Sequence, residues 1–191
     1  MSKIELSRED FKAFWEATVR YYELDPQGVM HNANHVAFFD QAITAYFKHV
    51  NYDYFKDIEQ TKKDFHTIQV LVQYHKPLHF EDTIEIGTKI KNIGNTSMTW
   101  IMGMFNKNSG DLVSSCEAVH VYTDQITMKP TRITDELKKK LNFFALSTSQ
   151  KKAGSFSKVS SKGLPWPACK STALPVWCSL YPGIAFTRSI C

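Results

Sequence analysis

The residue types best suited to chemistry lie close together between Tyr21 and His35. Asp25 opens a tight turn of sequence Asp-Pro-Gln-Gly, and Asn32 follows it where a long helix is predicted to begin. The first N–H groups of a helix have no partner within it and lie at its positive end, so they can stabilise an oxyanion formed from a carbonyl. A carboxylate beside that end can act as a general base toward water or as a nucleophile. The same residues could serve structure alone, with Asp25 shaping an Asx turn and Asn32 capping the helix.

Other reactive residue types in this chain fit chemistry less well. His31 and His35 are four apart, but Asn32 stands where the zinc motif HExxH has glutamate, and the sequence offers no third ligand. Cys116 has neither a predicted helix N-terminus nor a basic neighbour to make it a nucleophile. We therefore expect no metal site and no cofactor, and we assign Cys116 to packing. Large apolar residues alternate along one predicted strand, and we assign them to the interior: Met98, Trp100, Met102 and Met104.

The apolar periodicity predicts a helix from about Asn32 to about Asn51, and a short C-terminal helix over Ile133–Phe144 that Thr134 caps. A polar connection, Asp53–His66, follows the first helix. Alternating apolar residues predict five strands: Phe14–Tyr22, Thr67–His75, Thr83–Ile93, Met98–Phe105 and Leu112–Tyr122. In the second strand, four residues are predicted to share one face: Ile68, Val70, Val72 and Tyr74. One long buried helix against a curved, mostly antiparallel sheet is an α+β architecture.

Charge and composition divide the chain near residue 146. Residues 148–191 hold five Lys and one Arg but no Asp or Glu, which leaves 17 basic and 19 acidic side chains for residues 1–147. The net charge of +4 therefore belongs to a tail, and the body is not expected to bind nucleic acid. We predict one domain over residues 1–146 and a weakly structured Ser/Lys/Pro-rich tail over residues 147–191. With no apolar run near ~20 residues and no signal-like N-terminus, a cytoplasmic protein without a membrane span is expected.

Several short motifs occur in an order that resembles a known family. They are DPQGVMHNANHVAFFDQA (residues 25–42), VQYHKP (residues 72–77), DTIEI (residues 82–86), and Ser97 just after the Gly94-Asn95 turn. Together they resemble the hot-dog-fold acyl-CoA thioesterases of the 4-hydroxybenzoyl-CoA thioesterase / YbgC-like family, over about residues 14–145. The fold that this resemblance implies is a curved antiparallel sheet wrapped around one long central helix.

The resemblance also implies an activity and a site. Asp25 would be the catalytic acid residue, and a thioester carbonyl would be held by backbone N–H near Asn32. The substrate would be an acyl thioester of CoA or of acyl carrier protein, and the site would lie between subunits of a homodimer or homotetramer. Substrate-binding residues are expected at matching motif positions: Gly28, Val29, His31, Tyr74 and Ser97. Several positions depart from the family pattern. Asn32 stands where YbgC-like members have His and fatty-acyl relatives a second Asn, His35 replaces the usual helix Tyr, and Asp40 an expected helix Glu. Near the turn where relatives often place a basic clamp for the CoA phosphate, this chain has only Lys89 and Lys91.

Two other functions compete with thioester hydrolysis. A hot-dog dehydratase or hydratase acting on 3-hydroxyacyl thioesters would need a His paired with a carboxylate in its own motif context, and the place of Asp25 before the helix argues against it. A non-catalytic acyl-CoA-binding protein would not need the carboxylate of Asp25. The sequence alone leaves open the acyl group, the carrier, and whether Asp25 acts as base or nucleophile.

Overall fold

The computed structural model describes residues 5–141. Three helices and six strands occur within this range. The helices are α1 (Asn32–His49), α2 (Tyr54–Thr61) and α3 (Asp135–Leu141). The strands are β1 (Ala13–Thr18), β2 (Lys63–Tyr74), β3 (Thr83–Ile93), β4 (Ser97–Asn106), β5 (Leu112–Asp124) and β6 (Lys129–Pro130). Within these residues, no helix is long and apolar enough to cross a membrane.

The strands form one antiparallel sheet in the order β1-β3-β4-β5-β2, and β6 adds to the end of β5. Strands β3, β4 and β5 follow one another as hairpins, as predicted. Between β1 and β2 the chain crosses from one edge of the sheet to the other. Strand β2 pairs with β5, so β1 and β2 are the two edge strands. The central strands have both ladders occupied, whereas each edge strand leaves one row of backbone N–H and C=O groups outside the sheet.

The sheet curves around α1, which supplies the centre of the core. The buried residues of α1 are His35, Phe39, Ala42, Ile43, Tyr46 and Phe47. On the sheet, Trp100 is fully buried and meets the rings of Tyr46 and Phe47 edge-on at 5.2 and 5.8 Å between centroids. The alternating residues Met98, Met102 and Met104 are likewise buried in the core. The predicted α+β hot-dog fold, one long helix wrapped by a curved antiparallel sheet, is confirmed.

The outer face of the sheet carries a second apolar cluster. The N-terminal segment places Phe11 across this face, where its ring packs against Ile101 and Phe105. Gly87 and Gly103 face each other in the register of β3 and β4, and a Cβ added to Gly87 would lie 2.4 Å from Cγ of Phe11. Because neither glycine has a side chain, the two leave a slot on this face that the ring of Phe11 fills.

Two element predictions were wrong in their extent. The first strand was expected to reach Tyr22, but β1 ends at Thr18, and Tyr21–Glu23 forms a single 3₁₀ turn with Tyr21 and Tyr22 exposed. After the ladder ends, Val19 still bonds the turn before β3, donating to Asp82 O and accepting from Glu81 N, and the chain then enters the 3₁₀ turn. Alternation of aromatic residues alone does not show which of them lie in a sheet.

The connection Asp53–His66 also contains structure that its polar composition concealed. Helix α2 begins where the side chain of Asp53 accepts a hydrogen bond from Lys56 N, and it ends at Lys62, whose backbone is left-handed. The ring of Tyr54 stacks on Phe47 of α1 at 4.9 Å. Side-chain bonds add to this, from Tyr52 O–H to Asp57 and from Tyr54 O–H to Asp64. A cap and a few aromatic and polar contacts thus hold a helix that has no buried residue of its own.

A β-bulge corrects the predicted face of the second strand. Thr67 pairs with His120 and Gln69 pairs with Val119, so Ile68 is an extra residue without a partner in β5. Because one inserted residue reverses the alternation, Thr67 lies on the same inner face as Val70, Val72 and Tyr74, while Ile68 does not. The predicted face is therefore correct for three residues and wrong for Ile68.

The C-terminal helix begins as predicted near Thr134, whose Oγ1 accepts a hydrogen bond from Leu137 N at 3.2 Å. The remainder of the predicted helix beyond Leu141, the boundary at residue 146 and the tail over residues 147–191 all lie outside the described residues.

Candidate active site

The turn that carries Asp25 is a small hairpin closed by backbone hydrogen bonds. Asp25 N donates to Val29 O at 2.8 Å, and Gly28 N donates to Asp25 O at 2.9 Å. Gly28 has a φ of +78°, a left-handed conformation that glycine adopts without the cost a Cβ would add. These bonds hold Asp25, Gly28 and Val29, three of the predicted site residues, in one rigid turn.

The Asp25 side chain combines a structural and a free oxygen. Its Oδ1 accepts a hydrogen bond from Gln27 N at 2.8 Å, which forms an Asx turn. Among residues 5–141, no hydrogen bond ends on its Oδ2. The turn thus fixes the carboxylate through one oxygen and leaves the other, partly exposed, available to a substrate or a water molecule.

The first residues of α1 differ from the prediction that Asn32 caps the helix. The N-cap is His31, which has an extended backbone and whose Nδ1 accepts a hydrogen bond from Ala33 N at 3.2 Å. Asn32 is already the first helical residue, and its Oδ1 also accepts from Ala33 N, at 3.0 Å. Asn34 N donates to His31 O. Within the described part of the chain, this leaves the Asn32 N–H without an acceptor, at the positive end of an 18-residue helix.

Two residues that the sequence did not single out fasten the turn to the helix. The backbone oxygen of Glu23 accepts hydrogen bonds from His31 N at 2.9 Å and from Asn34 Nδ2 at 2.7 Å. Glu23 is itself buried, and its Oε2 accepts from Arg20 N at 2.7 Å. Asn34, which by default would be a solvated or capping residue, instead joins α1 to the turn. The sequence carries no capping-box signature for this bond, because Arg rather than Ser or Thr precedes Glu23 by three residues.

Tyr74 lies beside the helix start, as expected of a site residue. Its hydroxyl donates a hydrogen bond to Asn32 O at 3.2 Å, and half of its surface is exposed. Its ring meets that of His35 edge-on, with centroids 5.1 Å apart. His35 is buried, its Nδ1 lies 3.0 Å from Ser114 Oγ, and burial lowers its pKa to about 4. His35 is therefore neutral near pH 7 and supports the site from within the core.

Ser97 does not join the other predicted site residues within one chain. It begins β4, whereas Met104 of the same strand pairs with Ser114, the register partner of Tyr74. Seven residues of strand separate Ser97 from Met104, which is about 23 Å at ~3.3 Å per residue. Ser97 therefore lies at the opposite end of the sheet from Asp25 and Asn32.

The histidines and the cysteine have structural surroundings. The structure of residues 5–141 contains no group of three His, Cys, Asp or Glu residues that could hold a metal ion. His31 caps α1, and His35 is bonded to Ser114. Cys116 is buried and free, and burial, with the neighbouring Asp40 and Glu117, raises the pKa of its thiol to about 12, so it is a packing residue.

Known proteins support this assignment of the fold. The model of the thioesterase-like superfamily matches residues 19–141. The acyl-CoA thioester hydrolase YbgC of Escherichia coli O157:H7 is 28% identical over 116 residues, which are 61% of this chain and 85% of that protein.

Solved structures show the same fold at lower identity. The DHNA-CoA thioesterase of Staphylococcus aureus is 18% identical, with a TM-score of 0.64 over 78% of this chain and 98% of that one. The protein SAV2348 of the same organism, solved in complex with CoA, is 15% identical, with a TM-score of 0.63 over 86% and 100% of the two chains. The chain belongs to the thioesterase-like superfamily and is a hot-dog-fold thioester hydrolase.

Proposed function

We propose that this protein hydrolyses an acyl-CoA to the free acid and CoA, with Asp25 and the backbone N–H of Asn32 as its catalytic groups. The observation that supports this most directly is the pairing of two free groups on one rigid unit. Asp25 Oδ2 and the Asn32 N–H both lack partners within residues 5–141, and Glu23 O ties the turn to the helix. A carbonyl between them would meet a hydrogen-bond donor on its oxygen and a carboxylate near its carbon.

The reaction begins when the thioester oxygen accepts a hydrogen bond from Asn32 N–H. Charge then develops on that oxygen at the positive end of α1, where an unpaired N–H stabilises the transition state more than the ground state. Tyr74 O–H, bonded to Asn32 O, holds the first residue of α1 in position. In this account Tyr74 is a positioning residue, and Gly28, Val29 and His31 line the approach to the carbonyl.

Asp25 completes the reaction by one of two routes. As a base it takes a proton from water, the resulting hydroxide adds to the carbonyl carbon, and the tetrahedral intermediate expels CoA thiolate, which is then protonated. As a nucleophile it attacks the carbonyl carbon, CoA thiolate leaves, and water hydrolyses the mixed anhydride to release the acid and restore the carboxylate. After a single turnover in H₂¹⁸O, ¹⁸O in the Asp25 peptide identifies the nucleophile route, because only attack by water on the Asp25 carbonyl carbon of the anhydride places it there.

We propose CoA as the carrier because the related protein YbgC is named an acyl-CoA thioester hydrolase and SAV2348 was solved with CoA. A panel of short, long and aryl acyl-CoAs, with matched acyl carrier protein thioesters, tests the activity through released thiol. Thiol release from acyl-CoA supports the proposal. Binding without release would indicate a non-catalytic acyl-CoA-binding protein, and change at C2–C3 without release would indicate a hydratase or dehydratase. The hydratase alternative gains no support from His35, whose partner is Ser114 rather than a carboxylate.

We propose further that the protein works as a homodimer, or as a tetramer built from such dimers, joined through β2. This edge strand exposes apolar Ile68 and Val70 beside its unpaired backbone groups. Antiparallel pairing of two β2 strands would bring the Ser97 end of one subunit next to the Asp25 end of the other, which gives Ser97 a place in the site. Sedimentation of the full chain tests this: Val70→Lys should yield monomers and, because Ser97 is then withdrawn, a lower turnover rate.

A further inference from the structure

A cavity of about 330 Å³ lies two turns along α1 from the candidate active site, and we refer to it as the distal cavity. Asp40, Gln41 and Thr44 of α1 form one side. Thr67 of β2 and His120 of β5 form the other, with aromatic walls behind them. Its accessible polar groups are thus concentrated in a small space on the inner face of the sheet.

Helix α1 and strand β2 border the space between this cavity and the helix start, and we refer to that space as the trough. Strand β2 and helix α1 run in opposite directions, since Tyr74 is bonded to Asn32 at one end and Thr67 faces Thr44 at the other. Ala33 and Ala37 are exposed on α1 between these ends. On β2, Val70 is partly exposed on the inner face. The walls of the trough are therefore small or apolar, and its far end is polar.

The hydrogen bonds around His120 determine what the cavity offers a ligand. Trp100 Nε1 can only donate, and it lies 3.3 Å from His120 Nδ1, so this nitrogen is the acceptor. Burial lowers the pKa of His120 to about 4, so near pH 7 the ring is neutral with its hydrogen on Nε2. That N–H donates to Thr67 Oγ1 at 3.1 Å.

Thr67 consequently has a hydroxyl hydrogen to give. Its oxygen already accepts from His120, and among residues 5–141 no acceptor is bonded to its O–H. Across the cavity, Thr44 Oγ1 donates to Asp40 O within the helix, so the groups available there are the carboxylate of Asp40 and the amide of Gln41. A ligand group that both accepts from Thr67 and donates to Asp40 satisfies the two sides together, and a hydroxyl is the simplest such group.

We propose that the distal cavity binds a hydroxyl group near the far end of the acyl chain, so that hydroxylated medium-chain acyl groups are preferred over unsubstituted ones. The inference rests on the proposed function, which places the thioester carbonyl at Asn32. A terminal carboxylate is disfavoured because it would approach Asp40 with like charge, and an unsubstituted chain leaves Thr67 and Asp40 without partners when it displaces water.

The spacing along α1 sets the length of chain. Asp40 and Thr44 lie 8 and 12 residues beyond Asn32, which corresponds to about 12 and 18 Å at ~1.5 Å per helical residue. An extended hydrocarbon advances by about 1.3 Å per carbon, given a C–C bond near 1.5 Å. The hydroxyl is therefore expected on a chain of roughly ten to fourteen carbons.

Binding of non-hydrolysable thioethers tests the proposal independently of turnover. Titration calorimetry compares S-(12-hydroxydodecyl)-CoA with S-dodecyl-CoA on the full chain. We expect the hydroxylated ligand to bind at least about tenfold more tightly, a modest part of the discrimination that a site built for a hydroxyl can reach. Thr67→Val keeps the shape of the side chain but removes its hydroxyl, and should bring the ratio close to one. Thr99→Val, on the opposite face of the sheet, is the matched control and should leave the ratio unchanged.

Two results would overturn the proposal: equal affinities of the parent protein for the two ligands, or a preference that survives in Thr67→Val. A separate assay of thiol release from 12-hydroxydodecanoyl-CoA addresses the proposed function. Tighter binding of the hydroxylated thioether without any thiol release would support hydroxyl binding in the distal cavity and contradict hydrolysis. Thiol release with equal affinities for the two thioethers would support hydrolysis and contradict hydroxyl binding in the cavity.

Discussion

The hydroxyl of Tyr74 donates a hydrogen bond to the backbone oxygen of Asn32 at 3.2 Å. This bond joins the last residue of the edge strand β2 to the first residue of α1, and the two residues are 42 positions apart in the chain. It engages the carbonyl next to the helix N–H groups and holds that end of the helix against the sheet. The geometry of the proposed oxyanion site thus depends on a side chain from a distant strand.

Removing this hydroxyl should affect catalysis more than stability. A hydrogen bond of this kind contributes about 0.5–1.5 kcal/mol, so Tyr74→Phe is expected to lower kcat by roughly 3- to 10-fold with little change in KM. Steady-state kinetics on one preparation, with the unfolding midpoint measured alongside, checks this. Tyr122→Phe removes a tyrosine hydroxyl elsewhere on the inner face and serves as the control. A Tyr74→Phe enzyme with unchanged kcat would show that Tyr74 does not position Asn32.

Stability should depend on pH through the two buried histidines. Burial lowers the pKa of His35 and of His120 to about 4, whereas an imidazole in the unfolded chain titrates near 6.5. Between pH 6.5 and pH 4 the unfolded chain binds protons that the folded chain does not, so the free energy of unfolding falls as the pH is lowered. The contribution is complete above about pH 6.5. Denaturant unfolding at several pH values measures the slope.

Substitution identifies the groups responsible for that slope. His35→Phe and His120→Phe should each flatten the dependence between pH 6.5 and pH 4, whatever their effect on stability at pH 7. His79→Gln changes an exposed histidine and should leave the slope as it is. A parent protein whose free energy of unfolding stays constant or rises as the pH is lowered from 6.5 to 4 would contradict the assignment.

The slot on the outer face of the sheet gives a prediction about packing alone. Gly87→Ala places a Cβ against Phe11, and overpacking of this kind costs about 1–3 kcal/mol of unfolding free energy. Phe11→Ala opens a cavity and should cost about 3–5 kcal/mol. In the double variant the added methyl no longer meets the ring, so the two costs should not add. Gly94→Ala, where the nearest atoms lie 3.4 Å away, is the control. Additive costs in the double variant would show that Phe11 does not occupy the slot.

Much of the fold was predictable because its periodic elements are long. The bounds of β3 were predicted without error, and α1 was predicted to within two residues at its C-terminal end, since each carries an uninterrupted apolar period. Helix α2 was missed because the Asp53 cap and contacts of Tyr52 and Tyr54 hold it, rather than an apolar stripe. The bulge at Ile68 was missed because the sequence of one strand does not show an inserted residue; it is recognised only from the pairing with the partner strand.

The site was predictable where it is local in sequence. Asp25 and the start of α1 lie within eight residues of each other, so turn and helix signals alone bring them together. The N-cap was misassigned to Asn32 because histidine is an uncommon cap. The Nδ1 of His31 accepts the hydrogen bond from Ala33 N that a Ser or Asp oxygen usually accepts. Ser114, 79 residues from His35, could be found only from the register of β2 and β5.

Turnover by Asp25→Asn shows whether the Asp25 carboxylate performs the chemistry. Asparagine preserves the size and the Oδ1 acceptor of the Asx turn but removes the base and nucleophile. Asp124→Asn is the matched control, because Asp124 Oδ1 accepts in the same way from Ile126 N and Thr127 N in a distant turn. We predict that kcat for acyl-CoA hydrolysis falls at least ~10²-fold in Asp25→Asn, with KM and the unfolding midpoint nearly unchanged, and stays normal in Asp124→Asn. Near-normal kcat in Asp25→Asn, with a stability loss of about 0.5–2 kcal/mol as for a lost cap, would contradict the account.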